Sequence, residues 1–135
     1  MKRIIPIILI LLFALSGCSS VKKEQNTAAY KQISQEEAKE MMDRADGHVI
    51  VDVRRQDEYD AGHIPGAILI PNESIGCDSP EVLPDYDQII LVYCRTGNRS
   101  KQASEKLAAM GYTNIYEFGG INTWTGEIVT EETEE

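Results

Sequence analysis

The chain has 135 residues, 42% of them hydrophobic, which is enough for one packed domain and too short for two. Its 13 basic and 22 acidic side chains give a formal charge of −9. That balance argues against recognition of nucleic acid or of an anionic membrane surface through bulk electrostatics, so any anion the protein handles must be drawn in locally.

Lys2 and Arg3 lead an apolar run over residues 4–15 that is short for a membrane span and suits a signal peptide. The following "LSGC", residues 15–18, resembles the lipobox of bacterial lipoproteins, in which a peptidase cuts before a cysteine that carries lipid. The alternatives are an ordinary cleaved signal or a retained anchor. On the lipobox reading residues 1–17 are removed and Cys18 is the lipidated mature N-terminus. The protein is then a bacterial lipoprotein, anchored to a membrane in an extracytoplasmic compartment, with the two-chain attachment that one acyl group cannot supply. Loss of Lys2 and Arg3 leaves 11 of the 13 basic side chains against 22 acidic ones, a charge of −11. Residues 18–31 then serve as lipidated cysteine and tether; the polar stretch from Ser19 to Tyr30 would reach about 40 Å if extended. The folded domain is expected over 32–127, followed by a frayed acidic tail, 128–135.

Ser34 with Glu37 forms a capping-box pattern that opens a short helix, which Gly47 should stop. "HVIVDVR" (48–54) reads as a strand buried on both faces, residues 55–61 as one or two helical turns, and "GAILIP" (66–71) as another buried strand. Residues 72–87, with two prolines and a glycine, read as a loop with about one helical turn. "QIILVYC" (88–94) is the clearest buried strand. Ala103, Leu107 and Met110 then recur at helical spacing, with Gly111 as the stop. "NIYEF" (114–118) makes a last strand, and a short helix after Gly119 and Gly120 includes Trp124. Buried strands alternating with helices predict an α/β fold: a small parallel sheet with helices on both faces, which binds ligands beyond the carboxyl ends of its strands.

Cys94 stands at one such end, in "LVYCRTGNRS". If a helix begins near Arg99 or Ser100, the turn over Arg95, Thr96, Gly97, Asn98 and Arg99 aims backbone amides at one point beside a helix N-terminus. Oriented amides, the helix dipole and two arginines all favour an anion there, so Cys94 is expected to be an accessible, low-pKa thiolate and hence a nucleophile. Gly97 permits the turn, and Thr96 and Asn98 offer hydrogen bonds to whatever is held. A purely structural cysteine has no packing reason to sit between two arginines and a glycine.

Three segments together resemble the rhodanese family: "VIVDVRRQDEYDAGHIPGAILIP" (49–71), "VYCRTGNRS" (92–100) and "LAAMGYTNIYEFGGINTW" (107–124), spanning about residues 33–126. The resemblance implies a sulfurtransferase in which Cys94 attacks the outer sulfur of a donor such as thiosulfate, holds it as a persulfide, and passes it to a thiol or cyanide. Residues 95–99 would bind the donor. No metal or organic cofactor is implied. The partners would be a small anionic sulfur donor, a thiol acceptor and the membrane, with any protein acceptor unnamed. Two other readings stand: a module that uses the fold for binding or as a persulfide carrier without turnover, and a cysteine phosphatase or arsenate reductase. The loops of those oxyanion enzymes run cysteine, five residues, arginine. Here four residues separate Cys94 from Arg99, a tighter cradle suited to a sulfur atom.

Asp52 and Arg54 match positions the family keeps, and are expected to support the active loop, a buried carboxylate there holding loop amides or pairing with an arginine, rather than to act in acid catalysis. His63 is expected to bond backbone near its Pro–Gly turn, and neither it nor His48 has neighbours at metal-ligand spacing. Trp124 and Tyr112 read as packing residues. Cys77 is a possible redox partner of Cys94, through a disulfide or by attack on the persulfide; the alternative is a spare loop thiol.

Overall fold

The structure, a computed structural model, describes residues 30–76 and 78–133. The leader, Cys18, the tether up to residue 29 and Cys77 lie outside the described residues.

Five strands, β1 (Tyr30–Gln32), β2 (Val49–Asp52), β3 (Ile68–Leu69), β4 (Ile89–Cys94) and β5 (Asn114–Gly120), form one sheet in the order β1-β5-β4-β2-β3, and every pairing is parallel. Helices α1 (Gln35–Met42), α2 (Gln56–Ala61) and α3 (Asn98–Met110) connect them. The α/β class read from the sequence is the one observed.

Side-chain alternation along the central strand divides the core in two. Ile90, Val92 and Cys94 of β4 point to one face and pack with Ala103 and Leu107 of α3, Tyr112 and Ile115. Leu91 and Tyr93 point to the other and pack with Ala38 of α1, Ile64 and Phe118. A period of two therefore decides that Cys94 belongs to the α3 side. On that side the Tyr112 hydroxyl donates to the Leu83 carbonyl (2.6 Å), pinning the long loop that the sequence left irregular. Among its described residues that loop contains a single 3-10 turn, Asn72–Ser74.

The capping box of α1 is present: Glu37 N donates to Ser34 Oγ (3.1 Å) and Ser34 N to Glu37 Oε2 (2.9 Å). The helix ends at Met42 with Asp43 as its C-cap, before Gly47, and Asp46 then makes a turn of its own by accepting from His48 N (3.1 Å). β3 is only two half-buried residues at the sheet edge, not a buried strand. Trp124 lies just past its 3-10 turn, Ile121–Thr123, with its ring 5.7 Å from that of Phe118.

Both ends of the expected domain shift outward. Tyr30 and Lys31, assigned to the tether, pair with Ile115 and Tyr116 of β5. Val129, assigned to the frayed tail, exchanges two backbone hydrogen bonds with His63, each 2.9 Å. In both cases a partner distant in sequence supplies the order that local propensity does not.

Candidate active site

β4 delivers Cys94 to the carboxyl edge of the sheet, and α3 starts four residues later at Asn98, one residue earlier than the sequence suggested. Gly97 makes the junction in the left-handed region, at φ 109°, where a side chain would be strained. This turn brings the Gly97 amide within 2.9 Å of Cys94 Sγ, and the Ser100 hydroxyl oxygen lies 3.4 Å from the sulfur. Burial pushes the Cys94 thiol up, but the Ser100 hydroxyl and the amides of Ser100, Gly97 and Thr96 outweigh it and hold the thiol below its ordinary value. The low-pKa expectation is met, but the expected accessibility is not. Cys94 exposes none of its surface, because its side chain points inward under α3.

The loop carbonyl is held as firmly as the sulfur. Between Val92 and Cys94 the β4–β5 register slips, so that Cys94 opposes Gly120. The Arg95 carbonyl there accepts from Asn122 N (3.2 Å) and lies directly over Gly120, where there is no room for a Cβ. The side chains of Arg95, Thr96 and Asn98 face solvent.

The two arginines of the loop are not equivalent. Arg95 has no ion pair among the described residues, whereas Arg99 is gripped by both oxygens of Glu58 on α2 (2.7 and 2.9 Å). The Arg99 hydrogen bonds, against some burial, bring the Glu58 carboxyl from 4.5 down to about 2. A folded value below the unfolded one means the pair stabilises the fold fully above pH 4.5, and that contribution disappears as pH falls toward 2. Glu58→Gln is expected to cost about 1 kcal/mol at neutral pH. It should also flatten the decline of the urea midpoint between those pH values.

Of the two structural roles open to Asp52, holding loop amides or pairing with an arginine, the structure shows the second, a buried ion pair with Arg54. Asp52 Oδ2 accepts from an Arg54 terminal nitrogen (2.7 Å), its Oδ1 accepts from Arg54 N (2.9 Å), and the same guanidinium donates to the Gly62 carbonyl (2.7 Å). These bonds fasten the end of β2 to the end of α2 rather than to residues 95–99. His63 Nδ1 lies 3.0 Å from the Tyr59 carbonyl and its ring stacks on Tyr59.

Sequence reasoning missed Glu58 and Glu117. Glu117 is almost fully buried on β5, and its Oε1 accepts from the Ser100 hydroxyl (2.6 Å) and the Gly119 amide (2.9 Å). Strand parity could have found it: Ile115 and Glu117 are two apart, so the carboxylate shares the α3 face with Cys94.

Comparison with known proteins agrees with this geometry. A family model for the rhodanese-like domain matches residues 34–127. A thiosulfate sulfurtransferase, GlpE, of Pseudomonas entomophila is 38% identical over 96 residues, which cover 70% of this chain and 84% of that one. The thiosulfate sulfurtransferase PspE of Escherichia coli is 38% identical over 71 residues, 53% of this chain and 68% of its own. An Escherichia coli rhodanese solved with anions superposes with a TM-score of 0.57 at 34% identity, covering 62% of this chain and 98% of that one. The chain belongs to the rhodanese-like domain family.

Proposed function

We propose that this protein is a sulfurtransferase that carries a sulfane sulfur on Cys94, with thiosulfate or a similar small anion as donor and a thiol or cyanide as acceptor. The carrying observation is the convergence of amides on Cys94 Sγ, with Gly97 N at 2.9 Å. A thiolate held this way attacks the outer sulfur of thiosulfate. The new S–S bond forms as the bond to the sulfonate sulfur breaks, and sulfite leaves with the electron pair. An acceptor thiolate or cyanide then attacks the outer sulfur of the persulfide and returns Cys94 as thiolate. The names of the two sulfurtransferase relatives support this reading, as does the exposed guanidinium of Arg95, which can draw a dianion toward an acidic protein. Against phosphatase or arsenate chemistry, Arg99 already has both sides of its fork on Glu58. The lipid anchor on Cys18 and the extracytoplasmic location belong to the same proposal and rest on the apolar run over residues 4–15 and the "LSGC" that follows it.

Thiocyanate formation from thiosulfate and cyanide tests the reading. Wild type should turn over and Cys94→Ala should not, while Arg95→Ala should raise KM for thiosulfate about tenfold, the cost of losing one charged hydrogen bond to an anion. Hydrolysis of an aryl phosphate without thiocyanate would assign the phosphatase reading, and neither activity would leave the binding module.

A further inference from the structure

Cys94 has no exposed surface, so the groups nearest its sulfur are protein atoms. Three atoms lie around the one hydroxyl proton of Ser100: Glu117 Oε1 at 2.6 Å, the Gly97 carbonyl oxygen at 2.9 Å and Cys94 Sγ at 3.4 Å. Ser100 is itself fully buried, and Glu117 is 3% exposed. One proton cannot bond two buried anions at once, so the charge states of Cys94 and Glu117 are tied to each other.

We propose that Glu117 is a positioning residue that, through Ser100, takes up the proton of Cys94 and so controls formation of the thiolate. This rests on the reading of Cys94 as the sulfur carrier. In the resting arrangement the thiol donates to Ser100 Oγ and Ser100 donates to the Glu117 carboxylate. In the active arrangement the Glu117 carboxyl donates to Ser100, and Ser100 donates to the thiolate. Passage from one to the other moves the thiol proton to Ser100 and the Ser100 proton to Glu117 Oε1. No proton or electron leaves, and the line carries one negative charge in both arrangements. The 2.9 Å bond from Gly119 N to Glu117 Oε1 fixes the carboxyl for this exchange.

The charged and titratable groups around this line are few. From α3 the Arg99 guanidinium acts on the sulfur, with Glu58 of α2 and Glu73 of the 3-10 turn behind it. From β1 the Tyr30 phenol faces Glu117, with Glu105 of α3 beyond it. Arg95 on the loop is exposed, and Asp52 with Arg54 sits at the end of β2.

The test is the rate of Cys94 alkylation by iodoacetamide against pH. Wild type should rise in two steps, because the pair releases two protons in sequence. Glu117→Gln cannot take up a proton and removes a charge. Its profile should collapse to one step, with a midpoint about one pH unit below the upper wild-type step, roughly tenfold more thiolate at a given pH. Superimposed profiles for the two proteins would overturn the proposal and leave Glu117 a structural role alone. Should Glu117→Gln fail to fold, the carboxyl carbon resonance of Glu117 in wild type carries the decision. It should titrate in step with Cys94 and lose that inflection in Cys94→Ser; an unchanged titration overturns the proposal. Mass after thiosulfate treatment judges the transferase reading separately. A two-step profile without sulfur uptake removes only that reading, and sulfur uptake with superimposed profiles removes only the role of Glu117.

Discussion

Replacing Gly120 with alanine is expected to lower stability by about 3 kcal/mol, an overpacking cost at the upper end of the usual range. Turnover of the folded fraction should fall about a hundredfold, as expected when a reacting group shifts by roughly 1 Å. Gly120 has an ordinary backbone conformation, φ −129°, so strain in its own torsion is not the cause. The added Cβ would run into the Arg95 carbonyl, and its other near neighbour is Asn122 Oδ1, at 2.7 Å. A backbone carbonyl cannot rotate away like a side chain, and a hydrogen bond from Asn122 N holds this one. Relief must therefore come from moving residue 95, and with it the amides that face Cys94. Gly119→Ala is the control: it meets no atom within 4 Å, and its φ of 92° predicts a penalty of about 1–2 kcal/mol. Urea unfolding together with thiocyanate formation separates the two, and a larger activity loss in Gly119→Ala than in Gly120→Ala would contradict this account of the loop.

Asp52→Asn is expected to cost about 3 kcal/mol, because it leaves the Arg54 guanidinium buried without its counter-charge. The Asp52 side chain is wholly buried and that of Arg54 is 7% exposed, so water offers little compensation. Rebuilding both positions with apolar residues of similar volume should recover much of the loss, which single substitution cannot do. The side-chain hydrogen bonds of this pair go to each other, to the Gly62 carbonyl and, from Asp52, to the Tyr93 hydroxyl on β4, and none goes to residues 95–99. The Asp52→Asn protein that remains folded should accordingly keep its turnover per molecule, with the same pH profile. A profile that loses its alkaline limb would instead place Asp52 in acid catalysis.

These effects show which parts of the molecule were legible beforehand. The capping box of α1, the buried runs of β2 and β4 and the stop at Gly111 are local, set by hydrogen-bonding side chains and by periodicity within a few residues, and the sequence displays them. β1 is not local. Tyr30, Lys31 and Gln32 carry no apolar alternation and become a strand only because β5 offers an edge. The same holds within the site. Cys94 and its turn are contiguous and were readable, whereas Arg99 and Glu58 are 41 residues apart and Ser100 and Glu117 are 17 apart. The arginine expected to attract an anion is tied to a carboxylate on α2, 41 residues away in sequence, that only the fold brings near. Burial of the sulfur likewise follows from strand parity and the placement of α3 together, and an isolated motif does not carry that.

The most direct test of sulfur transfer through Cys94 is the intact mass of residues 19–135 after thiosulfate treatment and removal of excess donor. The account predicts a gain of one sulfur, about 32 Da, on wild type. That gain should be reversed by cyanide and absent from Cys94→Ser. An unchanged wild-type mass, or an equal gain on Cys94→Ser, would contradict it.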